Sequence, residues 1–230
     1  MKGTIIVVEG TDGSGKKTQT SLLFDRLKKD GNSVVSHSFP SYESISSGPV
    51  KMYLGGDLGE TASCVSPKQA SALFAADRVA TFLDLKNGLK EHYENGGIII
   101  FDRYVYSNMI HQACKIQDEN QADEFLDWLC KFEFEDLSLP KADLIFFLDM
   151  PAEVSKKLAN QRETLKAGTK TDIHEADSNH LFFAYASAKR VATKYGWTQI
   201  SCLDNTRIKT REEISDEIYN ITQNFLKFRK

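Results

Sequence analysis

Gly10, Gly13 and Gly15 space out a short loop that runs into Lys16, Lys17 and Thr18, directly after the apolar run Thr4-Ile5-Ile6-Val7-Val8-Glu9. These residue types suit the binding of a polyphosphate. Glycines permit a tight turn whose backbone N–H groups face inward, and the start of a following helix adds positive potential. Across Gly10-Thr11-Asp12-Gly13-Ser14-Gly15 the main chain would cradle the phosphates, and Lys16 would reach the terminal ones. The usual pattern places Ser or Thr after that lysine, as a ligand of Mg²⁺. Here the position holds Lys17, with Thr18 next. The bland reading of a glycine-rich stretch is an ordinary turn; the β-branched strand before it and the helical spacing of Leu22, Leu23 and Leu27 after it favour the phosphate site.

Other residues could join this chemistry. Asp102-Arg103-Tyr104 follows the apolar run Gly97-Ile98-Ile99-Ile100-Phe101. Arg103 offers a planar fork of donors for phosphate oxygens, and Asp102 is suited to hold Mg²⁺ through water. Phe74 and Arg78 are four apart on a helical pattern, so they share a face and could stack on and hydrogen-bond a base. Spacing alone favours a core Phe beside a solvated Arg. Lys156, Lys157, Arg162, Lys166 and Lys170 make a basic run leading past Gly168, either a lid over phosphates or a solvated helix face. His37, His92, His111, His174 and His180 show no metal-ligand spacing, and no serine or cysteine partner for a hydrolytic triad is identifiable.

The elements that must position these groups follow from the hydrophobic pattern. Apolar runs at 4–9, 33–38, 97–101, 143–148 and 197–202 read as strands buried on both faces of a parallel sheet. Helical patterns lie between them: Thr20 to Lys29, Pro67 to Glu94 as one long helix, Pro151 to Leu165, and Arg211 to Phe228. Alternating strands and helices predict a three-layer doubly wound α/β domain of about five strands with helices on both faces. Ligands bind such sheets beyond the carboxyl ends of the strands. The residues expected there are Glu9 with the glycine loop, Phe39-Pro40, Asp102-Arg103 and Asp149.

Composition sets the outer limits. The 230 residues, 41% hydrophobic and 27% charged, suit a single soluble domain spanning 1–230. A net charge of −3 lacks the basic footprint of a duplex nucleic-acid binder, so no nucleic-acid partner is expected. Cys64, Cys114, Cys130 and Cys202 are far apart, without a disulfide framework or zinc spacing. No run approaches a membrane span, and a cytoplasmic location is expected.

Taken in order, Glu-Gly-x-Asp-Gly-x-Gly-Lys at 9–16, Phe39-Pro40, Leu-Phe-Ala-x-Asp-Arg at 73–78, Asp-Arg-Tyr-x-x-Ser-Asn at 102–108 and Leu-Pro-x-x-Asp-Leu-x-x-Phe-Leu-Asp at 139–149 resemble the thymidylate kinase family. The resemblance runs from residue 4 to about 205. It implies ATP-dependent phosphorylation of dTMP to dTDP, assisted by Mg²⁺. By the same resemblance, Lys16 and the loop amides hold the ATP phosphates, and Asp12 lies between the 3′-hydroxyl of dTMP and the reacting phosphates. Phe74 stacks on thymine, Arg78 bonds its carbonyl edge, Arg103 clamps the dTMP phosphate, and Ser107, Asn108, His111 and Gln112 line the base and sugar pocket with Phe39 and Pro40. A mobile lid at about 160–178 contributes Arg162, and the helix from Pro67 contributes to a homodimer.

Three positions depart from the family pattern: Lys17 for the hydroxyl residue, Tyr42 where many members carry Arg two residues after Phe-Pro, and His111 where a tyrosine commonly packs under the sugar. Two other readings stay open. One is a deoxynucleoside kinase, for which Glu9 would be the base, or another nucleoside monophosphate kinase. The other is a non-catalytic nucleotide-binding module.

Overall fold

The computed structural model describes residues 2–59, 61–163 and 180–229, and for 158–163 the backbone only. The lid expected at about 160–178 and the Arg162 side chain therefore lie outside the described residues. The strands are β1 (Thr4–Glu9), β2 (Val34–Ser38), β3 (Ile98–Asp102), β4 (Leu144–Asp149) and β5 (Thr198–Ser201). They form one sheet in the order β2-β3-β1-β4-β5, with every pairing parallel. All five follow the runs read from the sequence.

Successive strand residues point to opposite faces of a sheet, and here both faces are covered. Ile5, Val7, Ile99, Phe101 and Phe147 enter one core. It is closed by α3 (Pro67–Leu83), α5 (Val105–His111), α6 (Glu119–Cys130) and α8 (His180–Lys194), whose Ala184, Ala188 and Ala192 let the backbone approach closely. Ile6, Val8, Ile98, Ile100, Phe146 and Leu148 enter the other, against Leu23 and Leu27 of α1 (Lys16–Lys29) and Ile214 and Ile218 of α9 (Arg211–Phe228). The central strands β3, β1 and β4 are apolar because little of them meets solvent, whereas the edge strands β2 and β5, also expected to be buried on both faces, are partly exposed. The remaining helices are α2 (Gly48–Leu54), α4 (Leu89–Glu94) and α7 (Ala152–Glu163).

The single helix expected from Pro67 to Glu94 is two helices. Asp84 leaves the helical conformation at ψ 114°, and its carboxylate accepts the Lys86 N–H at 3.0 Å. Asn87-Gly88 turns the chain, with Gly88 at φ 63° where an L-residue would be strained. Leu85, counted on the apolar face, is 94% exposed. A short antiparallel ribbon of β6 (Leu203–Asp204) and β7 (Arg207–Ile208), turning at Asn205, was not legible in the pattern. A π-helical turn at Lys131–Asp136 prolongs α6. Among the described residues, no helix is long and apolar enough to cross a membrane.

Candidate active site

The carboxyl ends of β1, β2 and β3 open into one crevice. After β1 the chain turns at Gly10–Gly15 and enters α1 at Lys16. Gly15, at φ 97°, is the residue before that helix and, being glycine, has no side chain to cap the first-turn N–H groups. Those donors are thus directed at whatever anion the loop holds. Gly13, at φ 82°, lies against α7 so closely that a Cβ would come within 2.6 Å of the Ser155 carbonyl oxygen. Lys16 is buried, and its Nζ donates to the carbonyls of Gly10 and Thr11 at 2.8 Å each. Burial first, then the charge of Arg103, brings its ammonium down to about 8, against the opposing pull of Asp12, Asp102 and Glu9.

Arg103 is the hinge of the site. It follows β3 at φ 68°, a backbone conformation that costs a non-glycine residue energy. Its Nη2 is ion-paired with Asp12, and its Nη1 lies 3.3 Å from Nε2 of His111. Burial opposes ionisation of Asp12, yet Arg103 and Lys16 outweigh it and hold that carboxyl well below the usual carboxylate range. An arginine only donates, so Nε2 of His111 is the acceptor and Nδ1 carries the proton toward His180 Nε2, 3.3 Å away. His180 is therefore the partner that spacing did not reveal.

Two cavities meet at Arg103. The smaller, about 190 Å³, is lined by Gly13, Gly15, Lys16, Lys17, Thr18, Asp102 and Arg103. Asp102 accepts from Ser38 Oγ at 3.4 Å through Oδ2, while its buried Oδ1 has no hydrogen-bond partner among the described residues. A buried oxygen left over beside a phosphate loop fits a hydrated Mg²⁺. The larger cavity, about 280 Å³, is walled by Asp12, Phe39, Pro40, Phe74, Arg103, Ser107, Asn108, His111 and Gln112, all singled out from the sequence. Ser38, Tyr42 and Leu54 also line it. Leu54 had no motif to mark it: α2 brings it in, packing with Tyr53 against Phe74.

Other side chains hold this wall in place. Asp77 accepts the Ser41 N–H at 2.8 Å and the Ser46 hydroxyl at 2.5 Å, tying the segment after Phe39-Pro40 to α3. Glu9 is fully buried and accepts from Tyr104 N at 2.9 Å and Ser107 Oγ at 2.8 Å. Burial pushes its carboxyl up to about 7, against Arg103 and these hydrogen bonds. It braces the turn after β3 from below.

Two expectations are corrected. Arg78 is not the solvated residue that spacing alone favoured: it is 2% exposed and ion-paired with Glu133, itself 0% exposed, and it is not among the residues lining the larger cavity. Asp149 is at the right end of the sheet but lines neither cavity; Tyr185 OH and Lys189 Nζ bind its carboxylate at 2.7 and 2.6 Å. Both carboxylate–cation pairs are long-range contacts that sequence spacing does not carry.

A family model described as "Thymidylate kinase" matches residues 8–200. The chain belongs to the thymidylate kinase family. It is 33% identical over 175 residues to the thymidylate kinase of Mycobacterium tuberculosis strain H37Rv, spanning 76% of this chain and 78% of that protein. It is 34% identical over 161 residues to a probable thymidylate kinase of Thermococcus onnurineus, spanning 68% of this chain and 71% of that one. A probable thymidylate kinase of Pyrococcus horikoshii is 30% identical over 165 residues, 72% and 74% of the two chains. The matched region of the thymidylate kinase family holds both cavities and every described residue that lines them.

Proposed function

We propose that this protein transfers the terminal phosphoryl group of ATP to dTMP, giving dTDP and ADP, with Mg²⁺ as the metal. The observation that carries the reading is Arg103. It lines both the phosphate-loop cavity and the aromatic-walled cavity, so one guanidinium reaches the donor and acceptor sides at once. A nucleoside monophosphate brings its own nucleophile, a phosphate oxygen already ionised at neutral pH. The work that remains is positioning and charge neutralisation.

In this reading Lys16 leaves its two carbonyls and, with the loop N–H groups, binds the phosphates of ATP. Arg103 exchanges Asp12 for the phosphate of dTMP, and the released Asp12 carboxylate accepts the 3′-hydroxyl. Phe74, held edge-on by Tyr53, offers its ring to the base. Asp102, with Thr18 nearby, would hold Mg²⁺ through water, and the bound metal would offset phosphate charge. Arg162 and the 160–178 segment are assigned to lid closure over the phosphates. The deoxynucleoside kinase reading is disfavoured by Glu9, whose carboxylate is fully buried and engaged with Tyr104 and Ser107 rather than facing either cavity. The reading includes a cytoplasmic homodimer to which α3 contributes; a solution mass equal to one 25.9 kDa chain would overturn the dimer.

The test is a panel of nucleoside monophosphates offered with Mg·ATP to the purified protein. The expected order of kcat/KM is dTMP, then dUMP, with dCMP and purine monophosphates at least ~100-fold lower, since a site built to bond one base edge leaves donors and acceptors unpaired against another. Equal use of dCMP or a purine monophosphate would reduce the reading to an unspecified nucleotide kinase.

Lys17 supplies a second check. It is exposed, and it lines the phosphate cavity beside Asp102. Its ammonium repels a metal that a hydroxyl would ligate. Lys17→Thr is expected to lower the Mg²⁺ concentration at half-maximal turnover several-fold while leaving the KM for dTMP within about twofold. Superimposable Mg²⁺ titrations for the two proteins would show that Lys17 takes no part in the metal site.

A further inference from the structure

Glu133 lies in the π-helical turn Lys131–Asp136, a geometry that recurs at functional sites, and no motif singled it out. It is fully buried. Arg78 of α3 grips it with two nitrogens: Nε donates to Oε2 at 2.7 Å, and Nη2 pairs with Oε1. The same Oε1 accepts Nδ2 of Asn108 at 3.5 Å. Asn108, on α5, lines the acceptor cavity, whereas Arg78 and Glu133 do not. Among the described residues, Arg78, Glu133 and Asn108 therefore form a chain of contacts of which Asn108 is the member that lines the cavity.

We propose that Glu133 is a positioning residue that sets base selectivity by fixing which end of the Asn108 amide meets the base. The proposal rests on the reading of a nucleoside monophosphate acceptor. A carboxylate offers acceptors and no donor, so it can be satisfied only by the NH₂ end of Asn108. That leaves Oδ1, an acceptor, as the other end of the amide. Thymine and uracil present a ring N–H to such an acceptor. Cytosine presents a bare ring nitrogen, and two acceptors facing each other leave both unpaired. Arg78 acts behind this arrangement: its two-pronged grip holds the Glu133 carboxylate in one plane. Breaking a buried ion pair by removing one partner leaves an uncompensated buried charge, so Arg78 and Glu133 hold each other in place. Glutamine at 133 would have the same shape but could donate or accept, so the Asn108 amide could turn over.

The experiment compares kcat and KM for dTMP and dCMP in the wild type, Glu133→Gln, Glu133→Asp and the paired replacement Arg78→Met with Glu133→Leu, with thermal unfolding of each. Wild type is expected to favour dTMP; a wild type without that preference sinks the functional reading and this proposal with it. Given the preference, Glu133→Gln is expected to narrow the dTMP-to-dCMP ratio of kcat/KM at least tenfold, mainly through KM. Glu133→Asp keeps an acceptor-only group and is expected to retain most of the ratio. Should Glu133→Gln fail to fold, the paired apolar replacement, which leaves no buried charge unmatched, is read in its place with the same expected loss. A folded Glu133→Gln or paired variant with the wild-type ratio overturns the proposal while leaving the dTMP kinase reading intact, as does a drop in unfolding temperature with no change in that ratio.

Discussion

Replacing Lys16 by Ala is expected to lower kcat at least ~10²–10³-fold, the loss of about 3–4 kcal/mol seen when a single preorganised charge-stabilising donor is removed from a transition state. The fold is expected to survive. Lys16 is a buried cation resting on the carbonyls of Gly10 and Thr11, and its removal leaves no apolar cavity in either core. Its ammonium, brought down to about 8 by burial and the Arg103 charge, adds a pH signature. The charged form is the active one, so kcat/KM, which reports the free protein, is expected to fall as pH rises through about 8. Bound phosphates favour the charged form and push that limb of kcat to higher pH. Steady-state rates across pH 6–10 (about that range suffices) with a thermal unfolding scan check both statements. A Lys16→Ala protein that turns over at the wild-type rate would remove the loop from the mechanism.

Arg103→Lys is expected to cost ~10–100-fold in kcat/KM for dTMP, with KM raised and kcat lowered, although the charge is kept. Hydrogen bonds to charged groups contribute about 1.5–3 kcal/mol, and an ammonium cannot reproduce the planar two-nitrogen contact of a guanidinium. Position 103 makes the comparison clean: lysine meets the same left-handed backbone at φ 68° as arginine does, so the substitution alters the side-chain head and little else. The guanidinium now spans Asp12 and His111 with separate nitrogens. Lysine has one nitrogen to cover both. If the lysine protein matches wild type in both constants, Arg103 is not the group that binds the acceptor phosphate.

The two expected losses separate the halves of the site. Lys16 lies in the phosphate-loop cavity alone, so its loss is expected in kcat; Arg103 lies in both cavities, so its loss is expected in KM as well. A single measured pattern for both variants would mean that the crevice acts as one binding site for the phosphates of both substrates.

Much of this was legible in the chain because it is written in local terms. A strand covered on both faces has to be apolar at every position, so Ile5 to Val8, Ile98 to Phe101 and Phe146 to Leu148 announce themselves without alternation. A phosphate loop needs glycine where φ is positive, and Gly13 and Gly15 are there. The parallel order then follows from strands alternating with helices, and the crevice from the common direction of the strands. The crevice accounts for Asp12, Phe39, Pro40 and Arg103 lying together; Phe74, Ser107, Asn108, His111 and Gln112 were marked as lining residues through the resemblance to the thymidylate kinase family, and the fold brings all nine into one cavity from four separate segments.

What only the tertiary structure decided is the pairing of charges across long separations. Sequence spacing shows that Phe74 and Arg78 share a helix face, but not that this face turns its arginine inward to Glu133, fifty-five residues away. The same holds for Asp12 with Arg103, ninety-one residues apart, for His111 with His180, and for Asp149 with Tyr185 and Lys189. The break at Asp84 to Gly88 was local, yet an apolar period of Leu85 and Leu89 outweighed the turn residues in the pattern. Periodicity records which side of an element avoids water. It carries no record of which buried charge meets which, because the attraction between two charges depends on their distance in space and on the water excluded between them, and both are properties of the folded chain.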